Sequence, residues 1–278
     1  MIARRSFILG GASILVGSTI SSSCGSRDDL AVVQRFPQVL VTGEIRMPVS
    51  LATSDGLLVD NAPDVLVARL LTSDRGDVVV DDLVAQRHGA GLSAPYWPFR
   101  ATIDEPGTYV LQIEGGSDGA AVQVLSVSDA VVPGAGDPMP PFDTPTRSDP
   151  RGVNPICTRT PEACPLHDIT LTEALSLGRS IAYLVGTPAF CSTGTCSPAL
   201  ESLLAVCQRV GDALVGVHAD IYTDRTATTV APAVRALGMT FEPALFLVDA
   251  TGTIVERLDA VFDETEINER LSALGLIT

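Results

Sequence analysis

The strongest constraint on the fold of this chain is a pair of cysteines, Cys191 and Cys196, in the polar loop at 186–198 (GTPAFCSTGTCSP). The preceding residues 180–185 (SIAYLV) form a short apolar run, which predicts a strand buried on both faces. After the loop we predict a helix with Ser197 as N-cap and Pro198 at its first position. Both thiols would then lie at a helix N-terminus, where free N–H groups and the helix dipole favour a thiolate. A redox cysteine requires this placement.

The rest of the C-terminal part predicts strands alternating with helices. Helices are expected at 170–177, 197–210, 230–237 and 263–274, with the spacing of Thr170 and Glu173 typical of a capping box and Asp263 with Glu266 capping the last helix. Strands are expected at 180–186, 213–218, 244–248 and 253–258, the last two joined by a turn at 249–252. This order favours an α/β domain whose sheet has mixed pairing.

Residues 166–278 resemble the thioredoxin superfamily. The resemblance depends on an aromatic residue just ahead of the cysteine pair (Phe190-Cys191), on a proline one residue before the penultimate strand (Pro243), and on the strand, turn, strand and helix at the end of the chain. It implies a thioredoxin-like fold, with Cys191 as the attacking thiolate and Cys196 as the resolving thiol. It also implies that Pro243 follows a cis peptide bond and faces the cysteines, since only X-Pro bonds adopt cis readily.

The chain departs from this family in two respects. Its cysteines are separated by four residues where the family has two, so the motif does not predict a redox potential. Glu242, just before the expected cis-proline, adds a negative charge that we expect to raise the pKa of both thiols. Cys191 is therefore predicted to be a weaker nucleophile than its counterpart in the family.

The cysteine pair followed by Ser-Pro also resembles the Sco-type copper chaperones, in which two cysteines and a histidine near the hairpin bind copper. Soft thiolates with an imidazole suit that metal. Where this resemblance implies an Asp-His pair, the chain has Asp249 followed by Ala250. His218, at the end of the second predicted strand, is the substitute ligand to consider beside Cys191 and Cys196. Otherwise no cofactor is expected.

The N-terminus predicts export. Residues 1–23 contain a twin arginine, Arg4 and Arg5, followed by a short apolar run, and resemble a Tat signal peptide. Cys24 resembles the cysteine of a bacterial lipobox, so we expect lipidation there and a tether at 24–30; the alternative is an unmodified cysteine in that tether. The formal net charge of −15 disfavours nucleic acid and anionic membranes as partners. We therefore expect an extracytoplasmic, membrane-anchored lipoprotein.

Residues 31–128 predict an all-β domain, an immunoglobulin-like sandwich, from short alternating strands separated by turn signals. Its aromatic residues are expected in the core and His88 in a solvated loop. This domain would space the C-terminal domain from the membrane or dock a partner. Residues 129–165, rich in proline, glycine and aspartate, predict a semi-extended linker.

Two further cysteines, Cys157 and Cys164, lie at the end of this linker. In an exported protein they predict a structural disulfide. Metal binding by both cysteines with His167 is the alternative, but the sequence shows no evident fourth ligand. Cys207 remains unassigned and is expected to be a buried, inert thiol on a helix face.

These observations leave three functions open. The first is a thiol–disulfide oxidoreductase acting on thiols or disulfides of exported proteins through Cys191 and Cys196. The second is a non-catalytic binding or scaffold lipoprotein in which this pair forms a permanent disulfide. The third is copper handling.

Overall fold

A computed structural model describes residues 30–116 and 119–277. The predicted signal peptide at 1–23 and the predicted lipidation site Cys24 lie outside the described residues. Within the described ranges, the helices all fall short of the length and apolarity that a bilayer crossing requires.

The described N-terminal part is built from strands that form two sheets. Its strands are β1 (Ala31–Gln34), β2 (Leu40–Val41), β3 (Gly43–Thr53), β4 (Gly56–Leu57), β5 (Val65–Thr72), β6 (Val78–Gln86), β7 (Trp97–Ile103), β8 (Gly107–Ile113) and β9 (Gly119–Leu125). In one sheet β3 pairs with β1, β4 and β7, and the other has the order β2-β9-β8-β5-β6. Both sheets contribute to one hydrophobic core. The predicted core aromatics are buried there or at its edge, with Tyr96, Trp97 and Phe99 at 0% exposure and Tyr109 at 7%.

The C-terminal part is an α/β unit with the predicted order of elements. These elements are α1 (Leu171–Ser176), β10 (Ser180–Val185), α2 (Cys196–Val210), β11 (Leu214–Ala219), α3 (Pro232–Ala236), β12 (Ala244–Val248), β13 (Ile254–Asp259) and α4 (Glu264–Ala273). The sheet has the order β11-β10-β12-β13, with β10 parallel to β11 and antiparallel to β12. Helices α1 and α3 share a core with one face of the sheet, and α2 and α4 share a core with the other. Strand β10 is therefore central and buried on both faces, as its apolar sequence predicts.

The proline-rich segment predicted as a linker packs against the C-terminal sheet over much of its length. The N–H of Gly136 donates to the carbonyl of Ile254 at 2.8 Å, and that of Met139 donates to Gly252 at 2.8 Å. Just beyond this segment, the carbonyl of Leu166 accepts from the N–H of His218, in the edge strand β11, at 3.1 Å. The composition of this segment predicted only a linker. Backbone groups make these hydrogen bonds, and they leave no pattern in the sequence of side chains from which the packing could be predicted.

His88 does not occupy the solvated loop that the sequence predicts. It is 8% exposed, and its Nδ1 lies 3.1 Å from the carboxylate of Asp263, the N-cap of α4. The sequence predicts that the Glu266 side chain helps to cap the start of α4. In the structure its carboxylate instead pairs with Arg46 of β3, in the N-terminal part, at 2.6 Å. Buried ionic contacts thus join α4 to the N-terminal sheets.

Candidate functional site

The first group of candidate residues surrounds Cys191 and Cys196, at the end of β10. Cys196 is the first residue of α2 and is 1% exposed, whereas Cys191 is partly exposed in the loop. The helix begins two residues earlier than predicted, with Thr195 as N-cap in place of Ser197 and Cys196 as its first residue in place of Pro198. The two sulfurs and a carboxylate oxygen of Glu242 all lie within 4.8 Å of one another. The predicted redox pair is therefore brought together with an acid beside it.

The environment of Cys191 stabilises its thiolate. A hydrogen bond from the Cys196 thiol, with help from Thr193 and from the backbone N–H groups of Thr195 and Cys196, lowers the pKa of Cys191 from 9.0 to about 4 despite partial burial. The hydroxyl of Thr193 lies 3.2 Å from the Cys191 sulfur. The hydroxyl residues in the STGT spacer are a sequence signal for this environment. The spacing of the two cysteines alone does not show that a hydroxyl group points toward the sulfur.

The surroundings of Cys196 and of Glu242 instead favour the protonated form of each side chain. The pKa of Cys196 is raised by its hydrogen bond to Cys191, by burial and by the charge of Glu242. Burial and the nearby Cys191 thiolate raise the pKa of Glu242 from 4.5 to about 7. The Cys196 thiol lies 3.4 Å from Glu242 Oε2, which also accepts from the N–H of Thr187 at 3.1 Å. The charge of Glu242 thus raises the pKa of Cys196 as expected, whereas at Cys191 the hydrogen bonds to the sulfur outweigh it and the pKa is lowered.

Pro243 lies beside the buried cysteine. The Glu242–Pro243 peptide bond is cis, as the family resemblance implies. A Cβ atom placed on Gly186 would lie 3.3 Å from Pro243 Cβ and 3.5 Å from the Cys196 sulfur. Because the Pro243 and Cys196 side chains pack closely against Gly186, Gly186 and Pro243 together shape the inner wall of the site.

A second group contains Cys157, Cys164, His167 and His218, whose ligand atoms all lie within 4.8 Å of one another. All four side chains are buried, with exposures between 0% and 4%. None of the five cysteines within the described ranges forms a disulfide in the structure. The four residues can serve as metal ligands, and His218 supplies the fourth ligand that the sequence analysis did not find. It comes from β11, 51 residues beyond His167.

The orientation of the two histidines is set by backbone carbonyls. His218 Nε2 lies 3.0 Å from the carbonyl of Gly186, so its Nδ1 points away from Cys191 and Cys196. That Nδ1 lies 3.5 Å from the Cys164 sulfur and 3.1 Å from His167 Nε2. His167 Nδ1 lies 3.4 Å from the carbonyl of Pro145. The structure therefore groups His218 with the second cysteine pair, and the ligand set Cys191, Cys196 and His218 is not assembled.

Cys207 belongs to neither group. It lies on α2, partly buried, and burial raises its pKa from 9.0 to about 11. This agrees with the predicted inert thiol.

Comparison with known proteins identifies no family. No family model matches the chain, and no curated protein matches it. Among solved structures, one neighbour is a metagenome-derived glycoside hydrolase family 9 endoglucanase, 20% identical with a TM-score of 0.25. The match covers 35% of this chain and 18% of the endoglucanase chain. A likeness of this size carries no argument about fold or function.

Proposed function

We propose that the protein is an extracytoplasmic thiol–disulfide oxidoreductase, built on a thioredoxin-like domain, that oxidises thiols of exported proteins. One observation carries this proposal: the partly exposed Cys191 sulfur lies beside the Thr193 hydroxyl and within 4.8 Å of the buried Cys196 sulfur, at the start of α2. Cys191 is accessible and holds a thiolate, with its pKa lowered to about 4, whereas Cys196 is buried and held protonated. Stabilising a thiolate stabilises the dithiol form, so the disulfide form becomes a stronger oxidant.

The proposed reaction starts from a disulfide between Cys191 and Cys196. A substrate thiolate attacks the accessible Cys191 sulfur, which forms a mixed disulfide and breaks the bond to Cys196. The leaving Cys196 thiolate takes a proton from Glu242, whose carboxyl lies 3.4 Å away. A second substrate thiolate then attacks the substrate sulfur of the mixed disulfide and expels Cys191. Two electrons pass to the protein, and the substrate gains one disulfide.

Each residue has a defined part in this scheme. Cys191 receives the attack and is a good leaving group in the second step because its thiolate is stable. Cys196 closes the protein disulfide again when a second disulfide compound reoxidises the pair. Pro243 and Gly186 position the buried sulfur. The immunoglobulin-like domain is proposed to place this site at a distance from the membrane.

The redox potential of the Cys191–Cys196 pair tests the proposal. The pair is equilibrated with mixtures of reduced and oxidised glutathione, and the free thiols are counted by alkylation and mass spectrometry. We expect a potential above about −200 mV, in the range of proteins that donate disulfides. A potential below about −300 mV would instead favour a permanent disulfide in a scaffold protein. The Cys207→Ser variant is the matched control, since Cys207 lies on the same helix outside the pair.

A further inference from the structure

The buried group of Cys157, Cys164, His167 and His218 offers four soft or borderline donor atoms that converge on one point. The first three come from one loop at 157–167 and the fourth from the neighbouring strand β11. The carbonyl of Leu166 accepts from the N–H of His218 at 3.1 Å, which fixes this loop against the strand. The backbone therefore holds the four side chains together independently of any bond between the sulfurs.

The hydrogen bonds of the two histidines determine which nitrogen carries a proton. A carbonyl oxygen only accepts, so His218 Nε2 and His167 Nδ1 must donate to Gly186 and Pro145. In the neutral rings, the other nitrogens then carry lone pairs. These are His218 Nδ1 and His167 Nε2, which face each other at 3.1 Å. Two lone pairs at this distance repel each other unless a cation lies between them.

Two donor–donor distances within the group agree with tetrahedral coordination, and all donor atoms lie within 4.8 Å of one another. Zinc lies about 2.3 Å from sulfur and about 2.0 Å from nitrogen, so the edges of a tetrahedron are about 3.3 Å between nitrogens and about 3.5 Å between nitrogen and sulfur. The structure has 3.1 Å between the two nitrogens and 3.5 Å between His218 Nδ1 and the Cys164 sulfur. Backbone carbonyls on the outer nitrogens are the usual second-shell partners of zinc-bound histidines.

Charge also favours a divalent cation. Zn(II) with two thiolates and two neutral imidazoles has no net charge, which suits a site with exposures of 0% to 4%. A disulfide between Cys157 and Cys164 would use both sulfurs and leave the two facing nitrogens without a cation. A proton shared between the two nitrogens would relieve their repulsion, but it would not involve the two sulfurs.

We propose that Cys157, Cys164, His167 and His218 form a closed, structural Zn(II) site behind the redox cysteines. Binding displaces two protons from the thiol and imidazole side chains of this group as two Zn–S bonds form. No ligand position remains for water, so the ion stabilises the fold and takes no part in hydrolysis. His218 also donates to the carbonyl of Gly186, a residue on which a Cβ atom would lie 3.5 Å from the Cys196 sulfur, so the ion supports the inner wall of the redox site. The proposal uses different cysteines from the redox reaction and does not depend on it.

Metal analysis of the reduced, folded full-length chain tests this site. We expect about one zinc ion per chain after dialysis against a weak chelator, and about two protons released per zinc bound. Cobalt substitution should give the thiolate charge-transfer bands and intense visible bands of a tetrahedral site. Cys157→Ser and His167→Gln should each reduce zinc retention at least tenfold. The Cys191→Ser/Cys196→Ser double variant and Cys207→Ser should retain it.

Four results would overturn the proposal. The first is a folded, reduced wild-type chain that takes up no zinc, which decides the question even where variants fail to fold. The second is a cobalt spectrum lost in the Cys191→Ser/Cys196→Ser variant and kept in Cys157→Ser. The third is a Cys157–Cys164 disulfide in peptide mass spectra of a chain purified with zinc present. The fourth is zinc retention that is unchanged in both Cys157→Ser and His167→Gln, which would show that the ion is held elsewhere.

Discussion

Glu242 is the residue that most changes the chemistry expected from the cysteine pair alone. Its carboxyl is half-buried, and its pKa is raised to about 7 by burial and by the Cys191 thiolate. A carboxylic acid with that pKa, 3.4 Å from the Cys196 sulfur, is protonated often enough near neutral pH to act as a general acid. In the proposed reaction it would supply the proton that the leaving Cys196 thiolate needs.

The Glu242→Gln variant tests this role. Gln keeps the shape of the side chain but cannot transfer a proton, so we expect oxidation of a small dithiol by the disulfide form to slow about 100-fold. Because the acid is active when protonated, the wild-type rate per substrate thiolate should be high below the Glu242 pKa and fall above it. In the disulfide form Cys191 carries no charge, so this inflection should lie at or below pH 7. The variant should lose the inflection.

The rate is measured by stopped-flow mixing between pH 5 and 9 and divided by the substrate thiolate fraction. Glu201→Gln is the matched control, since Glu201 lies on α2 but pairs with Arg159 at the surface. An unchanged rate and pH profile in Glu242→Gln would show that the leaving thiolate takes its proton from water.

At the scale of elements, local signals predicted the C-terminal part well. The capping box of Thr170 and Glu173 forms as expected, and the apolar run at 180–185 is the central strand β10. What the sequence could not predict is how distant segments meet. The packing of 129–165 uses backbone hydrogen bonds, and His218 joins Cys157 and Cys164 only because β11 lies beside their loop. Likewise, the position of Glu242 in the sequence does not reveal that its carboxylate contacts the buried Cys196 sulfur.

The contact between β11 and its neighbours depends on Gly216. A Cβ atom at this position would lie 2.8 Å from a methyl group of Leu166 and 2.9 Å from the Cys207 sulfur. Both are side chains of packed elements, so Gly216→Ala should displace the loop or α2 and destabilise the protein by about 1–3 kcal/mol. Urea unfolding measures the change in the free energy of unfolding.

Gly134→Ala is the control for this substitution, since a Cβ atom there meets nothing within 4 Å. Cys207→Ala in the Gly216→Ala background should recover part of the loss by removing one of the two close atoms. Equal stabilities of Gly216→Ala and Gly134→Ala would show that the loop and helix yield without cost, contrary to this packing argument.

At the scale of the whole molecule, the β part and the α/β part are joined through the N-terminal turn of α4. Asp263 accepts from the N–H groups of Gly89 and Ala90 at 2.7 and 3.0 Å, besides its contact with His88. Glu266 pairs with Arg46 at 2.6 Å and accepts from the Tyr96 hydroxyl at 2.7 Å. Such a polar, directional contact fixes the orientation of the two parts more than it adds to stability, because desolvation offsets much of the attraction between buried charges.

One of these contacts makes stability depend on pH. Burial disfavours the charged form of His88, but the hydrogen bond and charge of Asp263, with Glu266 and Glu269 nearby, outweigh burial and raise its pKa above 6.5. Burial likewise opposes ionisation of Asp263, but the bonds from His88 and from backbone N–H groups lower its pKa to about 2. The pKa of His88 is higher in the folded protein than in the unfolded chain. The stability that its contact with Asp263 contributes is therefore complete below pH 6.5 and is lost as pH rises through the folded pKa. The Asp263 contribution is lost only as pH falls toward 2.

We therefore expect His88→Gln to destabilise the protein most in mild acid. At pH 5 the loss should be about 1.5–3 kcal/mol, the usual range for a hydrogen bond to a charged group, and it should shrink toward pH 9 as the wild-type imidazole loses its proton. Urea unfolding of both proteins at pH 5, 7 and 9 measures the difference, in which other pH effects common to both cancel.

Arg87→Gln, which removes an exposed neighbouring cation paired with Asp64, should show a small difference that is constant over this range because arginine does not titrate there. A His88→Gln difference that is equally constant would mean that a charged imidazole adds no pH-dependent stability to this contact between the two parts.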